Sequence, residues 1–314
     1  MAKTAYMTDD IFLSHDTGWG HPECAERIKA INSAIEKAPY YKKLTLLQPF
    51  IPDLEIIETI HSKNYILRVK KEINSGTPHL DSMDTAVCIK SYEVALRAVG
   101  GSIALCDEIM NGDAIHGFGT LRPPGHHAEY DYAAGFCIFN NIAIAAKYLQ
   151  NKYSIKKIAI IDWDVHHGNG TQHSFEKDDT VLYISLHQFP HYPGTGSKHE
   201  TGKSKGEGFT LNFPMAAGSG DREYLDIFNM EIIPALISFK PEVILISAGF
   251  DAHKSDPLSS IKLSTETYGT FTKMLIDVAD TFSEGRIIGL LEGGYNLNIL
   301  GECVNEVISA FVNH

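Results

Sequence analysis

Cysteine is scarce in this chain of 314 residues: five in all, Cys24, Cys88, Cys106, Cys137 and Cys303. They are widely spaced, odd in number and never form a Cys-x-x-Cys pair. A disulfide framework and a cysteine-built zinc site are therefore excluded, and a reducing compartment suits them. Positive charge is short too, with Lys plus Arg at 27 against Asp plus Glu at 39, a formal charge of −12. That field repels phosphate backbones, so direct nucleic-acid binding is not expected. It favours cationic partners such as lysine-rich peptides or polyamines. Also missing is any uninterrupted apolar run approaching the ~18 residues that span a bilayer. The opening residues Met-Ala-Lys-Thr-Ala-Tyr-Met-Thr-Asp-Asp lack the apolar core of a signal peptide. A soluble, cytoplasmic protein with no membrane partner is the expectation.

No fixed-period repeat, low-complexity tract or long linker interrupts the sequence, and 15 Phe and 14 Tyr are spread along it. One globular domain over residues 1–314 is expected. Short β-branched apolar runs alternate with segments of helical period, the pattern of an open, mainly parallel α/β sheet flanked by helices. The clearest strands are Lys157 to Asp162, Val181 to Leu186, Val243 to Ala248 and Arg286 to Leu291. Helical faces are marked by Ile28, Ile31 and Ile35; by Tyr92, Leu96, Val99 and Ile103; by Leu225, Phe228 and Ile232; and by Tyr268, Phe271 and Leu275. The stretch from Gly194 to Gly208, rich in Gly, Ser, Thr and Lys, reads as a flexible surface insertion.

The unusual polar residues lie just beyond those four strands. Asp162-Trp163-Asp164-Val165-His166 follows the first, Ser185-Leu186-His187 ends the second, Gly249-Phe250-Asp251 follows the third and Glu292-Gly293-Gly294-Tyr295 follows the fourth. Ligands of open parallel sheets bind at the carboxyl ends of strands, so four strand ends converge on one expected site. In an extended segment residues i and i+2 share a face, so Asp162, Asp164 and His166 can point one way, and Asp251 can complete a three-ligand metal set with an open position for water. Burying two carboxylates and two imidazoles between Asp162 and Asn169 without a cation or partner would be costly. One His and two Asp form an oxygen-rich set, for which zinc is favoured and iron(II) is the alternative. A second constellation, Arg122-Pro123-Pro124-Gly125-His126-His127-Ala128, places tandem imidazoles on a stiff loop, suited to general acid–base work near pH 7.

With these motifs assembled, the chain resembles the histone deacetylase family, including its bacterial deacetylases and acetylpolyamine amidohydrolases. The resemblance rests on His21-Pro22-Glu23, the Arg122 to Ala128 run, Gly135-Phe136-Cys137-Ile138-Phe139-Asn140-Asn141, and Asp162 through Gly170. It continues through Tyr192-Pro193-Gly194-Thr195-Gly196, Ser247 through His253 and Glu292 through Tyr295, all in family order. It implies one zinc held by Asp164, His166 and Asp251, with His126 and His127 flanking the water and Tyr295 donating to the carbonyl oxygen. Gly135, Phe136 and Tyr192 are implied as tunnel walls.

Behind the histidines stand Asp162 and Asn169, a pairing similar to class II members. An amide stabilises an imidazolium less than a carboxylate does, so His127, expected to meet Asn169, is assigned as the principal base. Asp84 is the expected substrate-gripping aspartate, with Asp81 the alternative, because the loop Leu80-Asp81-Ser82-Met83-Asp84-Thr85 is one residue longer than the family's. Leu258 stands where an acidic residue in some relatives selects polyamines, which favours acyl-lysine peptides. The resemblance also implies a structural potassium at Asp162, Asp164, His166, Ser185 and Leu186. The related binuclear manganese hydrolases would need further carboxylates where Gly168 and His253 stand, and an inert acyl-lysine binder would be expected to have lost part of the catalytic set.

Overall fold

The computed structural model describes residues 3–314. Eight strands among these residues form one sheet: β1 (Thr4–Met7), β2 (Leu44–Leu47), β3 (His116–Gly119), β4 (Ile158–Asp162), β5 (Val181–Gln188), β6 (Thr210–Met215), β7 (Val243–Ala248) and β8 (Ile287–Leu291). Their order is β2-β1-β3-β8-β7-β4-β5-β6, and every neighbouring pair is parallel. β4, β5, β7 and β8 are buried along their whole length, as the Ile, Val and Leu that dominate them suit strands covered on both faces.

The helical faces read from the sequence lie in Glu26–Glu36, Ser91–Met110 and Thr265–Phe282, where the named apolar residues are buried. The Leu225 face differs in one respect. Between the α-helical turns Asp221–Ile227 and Ile233–Phe239 lies a π-helical turn, Phe228–Ile232, which buries Phe228 and Ile232 and leaves Leu225 only partly covered. The Gly194–Gly208 segment is not a loose insertion. The Glu200 carboxylate accepts from the backbone N–H of Gly196 (3.1 Å) and Ser197 (2.9 Å) and from Gln172 Nε2 (2.7 Å), anchoring the loop to the domain.

A buried ionic knot ties the N-terminal segment to the sheet's carboxyl edge. Glu23, Arg27 and Arg122 are all fully buried. Arg122 grips Glu23 through Nε (2.5 Å) and Nη2 (2.8 Å), and its Nη1 donates to Phe12 O (2.8 Å). Arg27 adds a third contact to Glu23 (3.1 Å), then donates to Gly294 O (2.7 Å) and Glu292 O (2.6 Å). Burial alone would raise the Glu23 carboxyl, but the two guanidiniums hold it well below the usual carboxylate range. Removing the anion would strand two cations in the core. Glu23→Ala is expected to lower unfolding stability by about 3–5 kcal/mol, measured by urea denaturation, whereas a loss under about 1 kcal/mol would show the knot to be dispensable.

Candidate active site

β4 lies between β5 and β7, and their register sets Asp162 level with Ser185 on one side and Ser247 on the other. The chain leaving β4 carries Asp164 and His166, that leaving β7 carries Asp251, and that leaving β8 carries Glu292 and Tyr295. Beyond β3 the chain runs on to His126 and His127. Parallel pairing brings all of these departures to the same edge.

Asp164, His166 and Asp251 each offer a ligand atom, all within 4.8 Å of one another. His166 Nδ1 is 3.1 Å from Asp164 Oδ1 and 3.1 Å from Asp251 Oδ2. The outer lone pairs of the carboxylates are already taken: Gly293 N–H donates to Asp164 Oδ2 (2.7 Å) and Val165 N–H to Asp251 Oδ1 (2.9 Å). A Cβ on Gly293 would run into both carboxylates, so that position needs its close backbone approach. Both Asp side chains are fully buried, and burial together with the neighbouring Asp164 pushes Asp251 up to about 7. Such surplus negative charge, lined with hard oxygen donors and one imidazole, fits a divalent cation.

The histidine rings lie with centroids 4.0 Å apart and planes tilted by 47°, yet their backing differs. His126 Nδ1 lies 3.0 Å from Asp162 Oδ2, which also accepts from Tyr183 OH (3.0 Å). His127 Nδ1 lies 2.7 Å from Asn169 Oδ1. Burial opposes charge on both. For His126 it is outweighed by Asp162, Asp164 and Glu292, which push the imidazole up to about 10. For His127 burial is reinforced by the neighbouring His126 and His166, and the ring is held well below its ordinary 6.5. The two imidazoles are thus driven apart in basicity, in the direction that an Asp behind one and an Asn behind the other dictates.

A narrow cavity opens onto this centre, lined by Asp84, His127, Gly135, Phe136, His166, Tyr192, Leu258 and Tyr295. Tyr192 meets His127 edge-on (5.0 Å) and Phe136 meets Tyr295 edge-on (5.8 Å). Gly135 has φ +56°, and a Cβ there would overlap the His127 ring, so only glycine lets this wall approach so closely. The two candidate aspartates have different surroundings. Asp81 makes a two-pronged ion pair with Arg68 (2.6 and 2.9 Å), accepts from Ala133 N–H (2.8 Å) and stays out of the cavity lining. Asp84 lines the cavity and accepts from Gly135 N–H (3.2 Å), Thr85 Oγ1 (3.0 Å) and the Ser82 hydroxyl. Leu258 also lines the cavity, its carbonyl accepting from His191 Nε2 (3.0 Å). His253, where a second metal would need a carboxylate, instead faces Ser255 N–H (3.1 Å) and Thr265 Oγ1 (3.2 Å). Ser185 and Leu186 of β5 lie beside the Asp162–His166 segment, with Ser185 Oγ 2.8 Å from His187 Nδ1.

The positioning roles of three side chains escape a sequence reading. Glu292 accepts from the N–H groups of Gly125 (2.7 Å) and His126 (3.1 Å) and from Ser247 Oγ (3.1 Å), so it shapes the histidine loop from across the sheet. Asp256 accepts from the N–H of Tyr295 (2.7 Å) and of Leu258 (3.0 Å), linking two walls of the cavity. Arg27 lies over the Tyr295 ring, 5.0 Å from its centroid. The one available signal was a glutamate at the end of an otherwise apolar strand.

A family model described as the histone deacetylase domain matches residues 21–311. The chain is 38% identical to a probable deacetylase of Archaeoglobus fulgidus over 94% of its own length and 82% of that protein. It is likewise 38% identical to the chloroplastic histone deacetylase 10 of rice, covering 93% of this chain and 70% of the relative. Among solved structures, the HDA15 HD domain superposes with a TM-score of 0.94 at 34% identity, over 100% of this chain and 89% of that one. A match over nearly the full length, at this identity and with the same fold, places the chain in the histone deacetylase family.

Proposed function

We propose that this chain is a zinc-dependent amide hydrolase that removes acetyl groups from N6-acetyl-lysine in proteins or peptides, with acetylated polyamines as the alternative substrate class. The observation that carries the reading is the single cavity in which His127, His166 and Tyr295 line one slim channel, with the Asp164 and Asp251 carboxylates against His166. When bound at Asp164, His166 and Asp251, zinc would acidify a water and polarise the acyl carbonyl.

The chain's own residues then have distinct tasks. His127, kept neutral, takes the proton of the attacking water, and His126, kept charged by Asp162, supplies one to the departing amine. The Tyr295 hydroxyl donates to the developing oxyanion. Gly135, Phe136 and Tyr192 wall the aliphatic stem, and Asp84, on the cavity lining, accepts from the substrate amide. A structural potassium is proposed at Asp162, Asp164, His166, Ser185 and Leu186, of which Asp162 and Ser185 are register partners on β4 and β5. No helix among the described residues is long and apolar enough to cross a membrane.

The direct test is turnover of a fluorogenic acetyl-lysine peptide. It is expected to vanish on chelation and return with zinc, while Asp251→Ala should lose both metal and activity, because one of three ligands is gone. Chelator-resistant turnover would overturn the metal assignment.

Tyr295→Phe removes the oxyanion donor but no ligand. A fall in kcat of about 10²-fold or more, with metal content unchanged, is the expected result. Near-wild-type kcat would mean that the ring matters and the hydroxyl does not.

Substrate class is read at Leu258. Placing a carboxylate there by Leu258→Glu should attract a distal ammonium and raise the ratio of acetylpolyamine to acetyl-lysine kcat/KM, and an unchanged ratio would reject this role.

A further inference from the structure

Behind His127 the hydrogen bonds do not stop at Asn169. Asn169 Nδ2 lies 2.6 Å from Glu129 Oε1, and that carboxylate is held in turn by His173 Nδ1 at 2.8 and 3.0 Å. Asn169 and His173 stand one turn apart on the helix Asn169–Phe175, so one helix face presents both to Glu129. The Glu129 backbone is fixed as well: its N–H donates to Tyr132 O (2.9 Å) and its carbonyl accepts from His61 Nδ1 (2.8 Å).

The two histidines pose different problems of proton placement. Asp162 can only accept, so by itself it demands a proton on His126 Nδ1. Asn169 is ambiguous. Its carbonyl would demand a proton on His127 Nδ1, but the flipped amide would present Nδ2 to a bare Nδ1 and move the proton to Nε2. A general base needs the first arrangement, because Nδ1 is turned to Asn169 and Nε2 is the nitrogen left for the cavity.

We propose that Glu129 is a positioning residue that sets the tautomer of His127 by clamping the Asn169 amide. A carboxylate accepts and does not donate, so the Asn169 atom 2.6 Å from it must be Nδ2. The carbonyl then faces His127, Nδ1 carries the proton and Nε2 keeps its lone pair. The negative charge also polarises the amide and makes Oδ1 a better acceptor without placing an anion against the ring. The Asn–Glu pair thereby does in two steps what Asp162 does in one, and leaves His127 less basic than His126. The proposal rests on the reading of His127 as the base.

The test uses zinc-loaded enzyme labelled with ¹⁵N-histidine, in which imidazole NMR reports the His127 tautomer independently of turnover. Wild type should show Nδ1 protonated and Nε2 bare. Glu129→Leu frees the amide and should populate the Nε2-protonated form, with kcat down about tenfold or more, KM and metal content little changed. A wholly wrong tautomer behind a catalytic histidine costs about 10⁴ in a serine protease. Glu129→Gln still offers a carbonyl and should restore most of kcat. Glu129→Lys offers donors only, should reverse the amide and should fall below Glu129→Leu; it also serves if the leucine variant does not fold.

In an Asn169→Asp background the new carboxylate fixes the proton on His127 Nδ1 unaided and meets Glu129 as a like charge, so adding Glu129→Leu there should leave kcat equal or higher, never lower. Unchanged His127 tautomer in Glu129→Leu and Glu129→Lys would overturn the clamp. So would an equal kcat loss from Glu129→Leu in the wild-type and Asn169→Asp backgrounds. Normal turnover in His127→Ala would instead overturn the base assignment, and the NMR result would still stand or fall by itself.

Discussion

Two carboxylates, Asp164 and Asp251, face one another across neighbouring strand ends, both shut away from solvent. Like charges buried at that separation cannot both ionise unless a cation or a proton intervenes, and the pressure on Asp251 expresses this. Much of the molecule is arranged to keep that arrangement from relaxing. Backbone N–H groups of Val165 and Gly293 hold the outer oxygens, a glycine allows the approach from β8, and the parallel sheet holds β4, β7 and β8 in register beneath. The result is a preorganised concentration of negative charge at the foot of a slim channel, suited to holding a cation rather than to binding a polyanion.

Around that charge, proton affinity is distributed by distance. His126 stands against Asp162 and near Asp164 and Glu292, which push its imidazole up, whereas His127, one residue on, is held down by burial and by two neighbouring imidazoles and meets only an amide. Two imidazoles of opposite proton affinity are thereby obtained from the same residue type on one loop, through the groups around them. The buried knot of Glu23, Arg27 and Arg122 plays the corresponding part on the other side. With two guanidiniums to one carboxylate it keeps one net positive charge, holds the Glu292 and Gly294 carbonyls and sets a guanidinium over Tyr295, so the tyrosine at the channel is braced from the core.

Much of this was legible in the sequence, and unevenly so. β4, β5, β7 and β8 could be read because strands buried on both faces must be continuously apolar, and polar residues immediately after them are conspicuous. β1, β2 and β3 were not legible: each is four residues long, and β3 reads His-Gly-Phe-Gly, a segment whose strand character comes from its neighbours. β6, with a proline and only partial burial, gives an equally weak signal. The anchored Gly194–Gly208 loop read as loose because its composition is that of a linker, while what holds it, Glu200 against Gln172 and two backbone amides, is a matter of contact.

Residue types and their order alone determined the fold class, the strand ends where chemistry would gather, and the donor set and histidine pair, since these depend on local periodicity and on which side chains can ligate or move protons. Which carboxylate at 81 or 84 faces the cavity, the support of the histidine loop by Glu292, the bracing of Tyr295 by Asp256 and Arg27, and the reach of Glu129 through Asn169 to His127 were decided only by the tertiary structure. These contacts join residues about 40 to 270 positions apart, or separate two acidic residues in one short loop by which way each side chain turns. Neither long-range proximity nor side-chain direction is encoded in local pattern; both exist only once the sheet has brought its strand ends together.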